Sequence, residues 1–408
     1  MSELNDLLAT FAAIGSTGDG GVCRLTGTVE DKAARDLFRR EIEARGLRAH
    51  VDPVGNMFGV ASLAPETDEV ALVGSHLDSQ PTGGRFDGVY GVLAGLLAVQ
   101  AVRERAAAHP GQARRNLAVV NWTNEEGARF QPSLTGSSVF AGSQSLDDAL
   151  ACRDGDGVLL GDTLAAIGYR GASDFDLRPT RYVELHVEQG DRLEQAGADI
   201  GIVTGAWVTR KISVVFEGEV SHTGPTPMAR RRDAMRAAAR AIETLYREVE
   251  RENAGVHASA ARISIFPNSP NVVAGRVRVW FEIRHVDEGV VRAVSARFLA
   301  AIRQDAADLG TGLSIAADEH RAGMLLDADG AAVVESVARD LGLASMRMQT
   351  VAGHDALALQ KRVPSSLIFV PSVGGLSHNP RELTRPDQLD RGHAVLTETL
   401  WRMVTAGS

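Results

Sequence analysis

Residues 74–88 read GSHLDSQPTGGRFDG and join an apolar strand pattern at Val70–Gly74 to a helical pattern at Val89–Ala107. This alternation of strands, polar turns and helices continues to about Trp207 and is typical of an α/β layered domain. Further elements of the same kind are predicted at Asp31–Arg45 (helix), Leu117–Trp122 (strand) and Tyr182–His186 (strand). Because ligands of open α/β sheets bind beyond the carboxyl ends of the strands, we expect the chemistry of this protein in the polar segments that follow them.

A second pattern occupies the middle of the chain, where strands and helices follow the βαββαβ order of a compact ferredoxin-like unit. Its elements are predicted at Lys211–Phe216, Arg231–Arg251, Arg262–Phe266, Arg276–Arg284, Gly289–Asp308 and Leu313–Ala316. From about Leu326 the first pattern resumes, with elements at Ala331–Leu341, Ser366–Val370 and Asp387–Val404. The sequence therefore predicts an α/β domain with a central sheet, residues 1–209 and 326–408, interrupted by a ferredoxin-like domain of residues 210–325.

The composition narrows the class of protein. A chain of 408 residues exceeds the size at which a single hydrophobic core usually stops growing, and its 44% hydrophobic residues are typical of a globular protein. The net charge of -9 and the scattered arginines form no basic face for nucleic acid. Only Cys23 and Cys152 are present, which excludes a disulfide framework and a thiolate zinc site.

The same features predict a cytoplasmic protein. Two cysteines fit a reducing compartment. The N-terminus carries Glu3 and Asp6 and spaces its leucines on one helical face, unlike a signal peptide. The longest apolar run, Val89–Val102, is too short and too interrupted to span a bilayer. We therefore expect neither a membrane nor a nucleic acid as a partner.

Segment 74–88 contains the first candidate metal ligands, His76 and Asp87, among several glycines. An imidazole and a carboxylate are common ligands of divalent cations, and Asp87 has two oxygens with which it could bridge two of them. Asp78, two residues after His76, is better placed to hold the imidazole ring than to bind a metal itself. Taken alone, the segment is also typical of a Gly-rich turn with solvated carboxylates.

Glu125 and Glu126 follow the strand pattern that ends at Trp122. Adjacent side chains of an extended segment point in different directions, so one carboxylate can bind a metal while the other faces the substrate. We predict that Glu126 is the ligand. Glu125 is then the general base that deprotonates a metal-activated water and afterwards protonates the leaving nitrogen. An isolated pair of this kind is also typical of an exposed surface.

Two histidines lie at or beyond the ends of further strand patterns, His186 in VELHVEQG and His378 in PSVGGLSHNPRE. One such histidine is more often structural than a ligand, but four polar clusters at strand ends in one α/β chain indicate a common site. The nitrogen and oxygen ligands suit two divalent cations, and Zn, Mn, Co and Ni are all compatible with them. The predicted ligands are His76, Asp87, Glu126, His186 and His378.

A series of ordered stretches between Gly74 and Glu382 resembles the M20-type metallohydrolases, and within them the hydantoinase/carbamoylase group. That group contains N-carbamoyl-L-amino-acid hydrolases, β-ureidopropionases and allantoate amidohydrolases. The matching stretches are GSHLDSQPTGGRFDG, TNEEGARF, LTGSSVFAG, LHVEQG, SHTGPTPMARRRDA, PNSPNVV, FEIR, GHDA and SHNPRE. The resemblance implies a two-metal catalytic domain, a smaller lid domain and a homodimer formed through the lid.

The resemblance also implies roles for residues outside the metal set. His222 would reach into the partner's active site and stabilise an oxyanion, although by itself it is typical of a surface turn. Arg284 would pair with the substrate carboxylate through its planar guanidinium. Asn271 and Gln189 would hydrogen-bond the substrate. His354, in GHDA, would have a substrate-side or structural role in the same pocket.

The reaction expected from this set is hydrolysis of the ureido or amide C–N bond of a small carboxylated substrate. An N-carbamoyl amino acid of the α-L or β-alanine type is the first candidate, and it would yield the amino acid, CO2 and ammonia. Allantoate or an N-acyl amino acid is the second. A catalytically silent ligand-binding relative is a rival that Glu125 argues against. A true peptidase is a further rival that the recognition of a small carboxylate argues against.

Overall fold

The computed structural model describes residues 2–172, 175–253 and 255–407. The chain divides into two compact units. Residues 1–204 and 325–408 form unit 1, and residues 205–324 form unit 2. The divisions lie close to the domain boundaries that the sequence predicts at 209/210 and 325/326.

Unit 1 consists of a central sheet and the helices packed against it. With elements numbered in chain order, the helices are α1 (Glu3–Ala12), α2 (Val29–Ala44), α3 (Val89–Ala108), α4 (Thr135–Phe140), α5 (Leu146–Leu150), α6 (Leu160–Ala166), α7 (Arg192–Ala196), α10 (Ala328–Asp340), α11 (Asp355–Leu359) and α12 (Pro386–Thr405). The strands of the sheet are β1 (Arg48–Val51), β2 (Met57–Ala61), β3 (Glu69–His76), β4 (Asn116–Trp122), β5 (Arg178–Val187), β6 (Ile200–Ala206), β13 (Met324–Leu325), β14 (Ser345–Thr350) and β15 (Ser365–Val370).

The middle of this sheet is parallel. The strand order is β1-β2-β4-β3-β5-β15-β6-β13, with β14 paired to β6. The neighbours β4, β3, β5 and β15 run in the same direction. Every residue of β4 and β15 is buried, as expected for parallel strands that are covered on both faces. The carboxyl ends of these four strands therefore meet at the same end of the sheet.

Helix α3 continues directly from segment 74–88. Its first residues, from Val89 to Val99, are all buried, so the long apolar run of the sequence is a core helix. Gly88, just before it, has a φ of 68°, and a Cβ atom there would lie 2.3 Å from Cε1 of His76. Only glycine accommodates both that backbone and that contact. Among the described residues, no helix has the length and apolar character needed to cross a bilayer.

Unit 2 is an antiparallel sheet covered on one face by two long helices. Its elements are β7 (Val208–Glu217), β8 (Ser221–His222), α8 (Ala234–Glu252), β9 (His257–Phe266), β10 (Val272–Val273), β11 (Arg276–His285), α9 (Glu288–Asp308) and β12 (Gly312–Arg321). The main sheet has the order β12-β7-β11-β9. Alternate residues of β11, such as Phe281, are buried, and the Phe281 ring lies 4.9 Å from that of Phe298 on α9. The predicted fold class, an α/β protein with a central sheet and an inserted βαββαβ unit, is confirmed.

The start of α8 differs from the prediction. The helix begins at Ala234 rather than Arg231. Asp233 caps it, because its carboxylate accepts hydrogen bonds from the main-chain N–H groups of Met235 (2.9 Å) and Arg236 (3.3 Å). Arg231 and Arg232, which the prediction places in the helix, therefore lie before its first turn.

Strands are longer in the structure than the apolar patterns suggest. Strand β9 starts at His257 rather than Arg262, and β12 runs to Arg321 rather than Ala316. In both cases the ladder with a neighbouring strand continues past the apolar residues. The hairpin of β1 and β2, absent from the sequence-based prediction, pairs antiparallel and joins the central sheet through β4. Strands this short leave too little periodicity to be predicted.

Candidate metal centre

The candidate residues of unit 1 converge at the carboxyl end of the parallel strands. His76 is the last residue of β3, and His186 is the penultimate residue of β5. Glu125 and Glu126 follow the end of β4, and His378 lies in the loop that follows β15. The topology therefore places side chains from distant parts of the sequence at one end of the sheet, as the pattern of strand ends predicts.

Asp87 lies at the middle of this cluster. Its Oδ1 atom is 3.1 Å from Nε2 of His186 and 3.8 Å from Nε2 of His76. Its Oδ2 atom is 3.2 Å from Nε2 of His378, which is also 3.5 Å from Oε2 of Glu126. The two oxygens of Asp87 thus have different neighbours. Oδ1 lies near His76 and His186, and Oδ2 lies near His378.

Two groups of candidate ligands share Asp87. His76, Asp87 and His186 form one group, and Asp87, Glu126 and His378 form the other; in each, the potential ligand atoms lie within 4.8 Å of one another. Imidazole nitrogens and carboxylate oxygens are the ligands preferred by Zn, Mn, Co and Ni. The donor set would therefore suit two divalent cations, and it contains all five residues predicted as ligands.

Burial and mutual repulsion of the carboxylates give this centre an unusual electrostatic character. Burial, with the negative charge of Asp87, raises the pKa of Glu126 to about 8. Burial also raises the pKa of Glu125 well above its ordinary value, with further contributions from Asp355 and Glu126. Both shifts show that burial and neighbouring negative charges disfavour the ionised carboxylates. A bound divalent cation would oppose both effects.

The histidines respond to Asp87 in different ways. Burial lowers the pKa of His76 to about 4 despite the attraction of Asp87. For His186 and His378, burial opposes the charged form, but the hydrogen bond to Asp87 and the attraction of nearby carboxylates together outweigh it and raise each pKa to about 9. The same hydrogen bonds and the charges of the two histidines together outweigh burial at Asp87 and hold its pKa well below the usual range. Asp87 is thus the residue that keeps a negative charge in the centre.

Glu125 lies beside the ligands rather than among them. Its Oε2 atom is 3.5 Å from Nε2 of His76, and only 8% of the residue is exposed. Its main-chain N–H donates to Oδ1 of Asp78 (3.2 Å), and that of Glu126 donates to Oδ2 (3.3 Å). The adjacent glutamates are therefore held through their backbone while their side chains project separately.

Asp78 contacts His76 through a different atom from the one predicted. Nδ1 of His76 is 2.9 Å from the main-chain oxygen of Asp78 but 3.8 Å from its carboxylate. The carboxylate instead accepts the two N–H groups of the glutamate pair and the hydroxyl of Thr26 (3.1 Å). The sequence spacing indicates proximity to His76, but it cannot distinguish a main-chain oxygen from a carboxylate.

Gln189 and His354 lie next to the ligand cluster. The side-chain amide of Gln189 donates to Oδ2 of Asp87 (3.0 Å), and its Oε1 atom is buried without a hydrogen-bond partner in the described part of the chain. Gln189 and His378 both have positive φ, 63° and 51°, a backbone conformation that non-glycine residues adopt mostly where the surroundings impose it. The ring of His354 is buried, 4.7 Å from that of His186.

The other predicted residues belong to unit 2. His222 is exposed on the short strand β8, where it pairs with Val272, and its Nδ1 accepts the N–H of Gly224 (3.0 Å). Asn271, next to Val272, is also exposed. The structure thus brings His222 and Asn271 together across one strand pair. Arg284, near the end of β11, forms an ion pair with Glu282.

Several polar residues of the centre were missed at the sequence level. Ser377 and Glu382 contact the loop of Asp87, and Glu184 accepts hydrogen bonds from Ser75 (2.8 Å) and from the N–H of Ala356 (2.7 Å). The first two lie within or beside the quoted stretch SHNPRE. Glu184 lies two residues before His186, so period-two alternation places it on the same face of β5. This spacing is the feature of the sequence from which Glu184 could have been predicted.

Comparisons with known proteins find relatives that match almost the whole chain. The family described as Peptidase family M20/M25/M40 matches residues 72–402. An N-carbamoyl-L-amino-acid amidohydrolase of Rhizobium meliloti is 38% identical, over 93% of this chain and 91% of its own length. An allantoate amidohydrolase of Bacillus subtilis is 34% identical, over 98% and 97%. A crystal structure of an amidase of the hydantoinase/carbamoylase family from Burkholderia vietnamiensis superposes with a TM-score of 0.93 at 38% identity, over 99% and 97% of the chains.

Proposed function

The chain belongs to the M20/M25/M40 peptidase family and is an amidohydrolase of the hydantoinase/carbamoylase group, and from that premise we propose that its substrate is an N-carbamoyl amino acid. Water adds to the ureido carbonyl and the bond to the amino-acid nitrogen breaks. The products are the amino acid, CO2 and ammonia, so the reaction consumes one water molecule. The observation that carries the proposal is the Asp87-centred double group of ligands with Glu125 beside it.

In this proposal the two ligand groups hold two divalent cations. His76, Asp87 and His186 would bind one, and Asp87, Glu126 and His378 would bind the other. When bound, such cations polarise a carbonyl oxygen and lower the pKa of water. The structural support is geometric, because the potential ligand atoms of each group lie within 4.8 Å of one another and Asp87 belongs to both groups.

Glu125 moves the proton. Its carboxylate lies at the rim of the ligand cluster, 3.5 Å from His76, where it can accept a proton from the attacking water. Because burial raises its pKa, the protonated form is stable enough to carry that proton to the leaving nitrogen. Asp78 fixes the backbone from which Glu125 projects, so that the carboxylate keeps its place during both transfers.

Gln189 supports a ureido rather than an acyl substrate. Its amide nitrogen is committed to Asp87, which leaves the buried Oε1 atom as an acceptor without a partner in the described part of the chain. A carbamoyl group ends in an NH2 donor that can satisfy this acceptor, whereas an acetyl group ends in a methyl. Leaving a buried acceptor without a donor is costly, so the carbamoyl group is favoured. His354, which packs on His186, would line the same pocket.

The residues of unit 2 complete the proposal. Arg284 would bind the substrate carboxylate, Asn271 would hydrogen-bond the substrate, and His222 would stabilise the oxyanion from the partner subunit. The proposed homodimer forms through unit 2. Its support is the edge strand β9, which has one side without a strand partner in the described part of the chain and exposes Ile263 and Phe266, the latter to 64%. Exposed apolar edge strands are sites at which a second chain can pair.

An ammonia-release assay with added Zn, Mn, Co or Ni tests the substrate. The panel comprises N-carbamoyl-L-amino acids, N-carbamoyl-β-alanine, allantoate and, with amine detection, N-acetyl amino acids. We expect an N-carbamoyl amino acid to give the highest kcat/KM and the N-acetyl analogue of the same amino acid to be poor. A preference for allantoate would establish the second candidate. Similarity to the allantoate amidohydrolase of Bacillus subtilis supports that candidate. Cation binding without turnover of any compound would indicate a silent relative.

A further inference from the structure

The side chain of Glu382 links the two loops that carry Asp87 and His378. It is 3% exposed, and its Oε1 atom accepts hydrogen bonds from the main-chain N–H groups of Phe86 (3.0 Å) and Asp87 (3.1 Å). These donors and Glu382 are almost three hundred residues apart in the sequence. The Glu382 carboxylate therefore accepts hydrogen bonds from two buried main-chain N–H groups in a loop that is distant from it in the sequence.

The second oxygen of Glu382 reaches Asp87 by another path. Its Oε2 atom accepts the hydroxyl of Ser377 (2.9 Å), and that same hydroxyl lies 3.2 Å from Oδ2 of Asp87. A serine hydroxyl has one proton, so it donates to one of the two carboxylates at a time and accepts no bond from either. Ser377 immediately precedes His378, so this contact ties the side chain of Asp87 to the backbone that carries His378.

The two loops are shaped around this carboxylate. A Cβ atom on Gly84 would lie 2.2 Å from Oε1 and 2.3 Å from Cδ of Glu382, so no larger residue fits there. The hydroxyl of Thr82 also donates to the main-chain oxygen of His378 (3.2 Å). Glu382 thus occupies a fitted position between loops that meet in several places.

We propose that Glu382 is a positioning residue that holds Asp87 and His378 in the geometry needed to bind a cation. The inference deepens the proposed function and rests on it. Glu382 belongs to neither group of candidate ligands. It would order two of their members before binding, so its loss should weaken affinity rather than remove ligands. Partners that orient metal ligands typically change affinity by about 10–100-fold.

The experiment is a competition titration of metal-free protein against a chromogenic chelator, with Zn as the probe. We expect Glu382→Ala to raise Kd about 10–100-fold, and activity to return as the Zn concentration is raised accordingly. Ser377→Ala removes only the link to the Asp87 side chain and should have a smaller effect. Glu382→Gln keeps an oxygen for the two N–H groups, so it should fold and give an intermediate Kd even where the alanine variant does not.

Asp327→Asn is the matched control. Asp327 is also a carboxylate of unit 1 that accepts a main-chain N–H, from Gly330 (2.8 Å), and its ion pair is with Arg181. The Asp327→Asn substitution should lower the melting temperature of the metal-free protein without changing the Kd for Zn. If Glu382→Ala or Glu382→Gln behaves in the same way, the positioning role is overturned while the metal centre stands. If the wild type binds no Zn, the proposed metal centre itself fails, and the inference with it.

Discussion

Unit 1 and unit 2 place their predicted functional residues in opposite environments. In unit 1, His76, Asp87 and His186 are at most 4% exposed and lie within hydrogen-bond or near-contact distance of one another. In unit 2, His222 and Asn271 are exposed and are related only through a two-residue strand pair. The first cluster is assembled by the core of its own unit, whereas His222 and Asn271 lie at the surface of theirs.

The difference indicates how the two regions act. Buried ligands that contact one another are ordered before any cation or substrate arrives, which reduces the cost of binding. Exposed residues in turns gain a fixed geometry only when they meet a substrate or a partner chain. We therefore expect substitutions in unit 1 to affect chemistry or metal content, and substitutions in unit 2 to affect capture of the substrate and cooperation between subunits.

The largest effect should come from Glu125→Gln. Loss of a general base typically removes about two to four orders of magnitude in rate, because the proton then has no acceptor in the transition state. Metal content, measured by elemental analysis, should stay at the wild-type level, since Glu125 is no ligand. Asp87→Ala provides the contrast, because it should lower metal content and activity together. A Glu125→Gln protein that keeps most of its turnover would contradict the assignment.

His222→Ala should have the next largest effect, about 100–1,000-fold in kcat, as for the removal of an oxyanion donor. His320→Ala is the control, because His320 is another half-exposed histidine of unit 2, paired with Glu288 at 3.4 Å. If His222 acts across a dimer, mixing the inactive His222→Ala and Glu125→Gln proteins should restore activity. A mixed dimer then contains one site with both wild-type residues. Subunit exchange demonstrated with tagged chains, without recovered turnover, would place His222 in its own subunit or at the surface.

Arg284→Ala should weaken substrate capture by about 30-fold in kcat/KM, the lower end for losing one partner of a charge pair. Most of the change should appear in KM. Arg284→Lys should rescue poorly, because an ammonium lacks the bidentate guanidinium fork. Arg278→Ala is the matched control: it removes an arginine from the same face of β11, where Arg278 donates to Ser213 (2.6 Å). Equal losses in both variants would mean that general charge, rather than a specific contact, attracts the substrate.

For unit 1, the arrangement of elements was predicted from the sequence better than the individual contacts between residues. Elements with long apolar runs, such as α3 and β15, were found with nearly correct ends, and the five proposed ligands that the strand-end rule groups lie close together in the structure. Glu382 was not recognised, because its role depends on meeting Phe86 across almost three hundred residues. Local patterns carry no information on such contacts. The atom by which Asp78 meets His76 was missed for a similar reason, since main-chain direction is decided by the folded loop.

In unit 2 the order of helices and strands was predicted. The ends of several elements and the roles of residues in turns were not. The cap at Asp233 shortened a helix, and the ladders extended two strands beyond their apolar residues. The roles of His222, Asn271 and Arg284 came from resemblance alone and stay predictions. Nothing in the local chemistry of an exposed turn distinguishes a catalytic histidine from a solvated one, so these residues need the experiments above.

The smallest expected effect concerns the stability of unit 1 without cations, and it tests whether Asp87 governs the centre. In the folded protein the pKa of His186 is raised to about 9, because the attraction of Asp87 exceeds the effect of burial. The pKa of Glu126 is raised to about 8 by burial and by Asp87. Both groups bind their protons more tightly in the folded than in the unfolded state, so both lose stabilisation as the pH rises.

The useful window is pH 6.5 to 9. The lowered pKa of His76, about 4, affects stability only below this window. We expect the unfolding free energy of chelated protein, measured with urea, to fall across the window by on the order of 1–3 kcal/mol, since one pKa unit corresponds to about 1.4 kcal/mol. His378 contributes less than its pKa shift suggests, because its side chain is 47% exposed and solvent screens the pair. With a saturating divalent cation the slope should reverse, because deprotonated ligands bind metal better at higher pH. Chelated protein with a flat profile, or one unchanged by Asp87→Asn, would show that Asp87 does not set the charge of the centre.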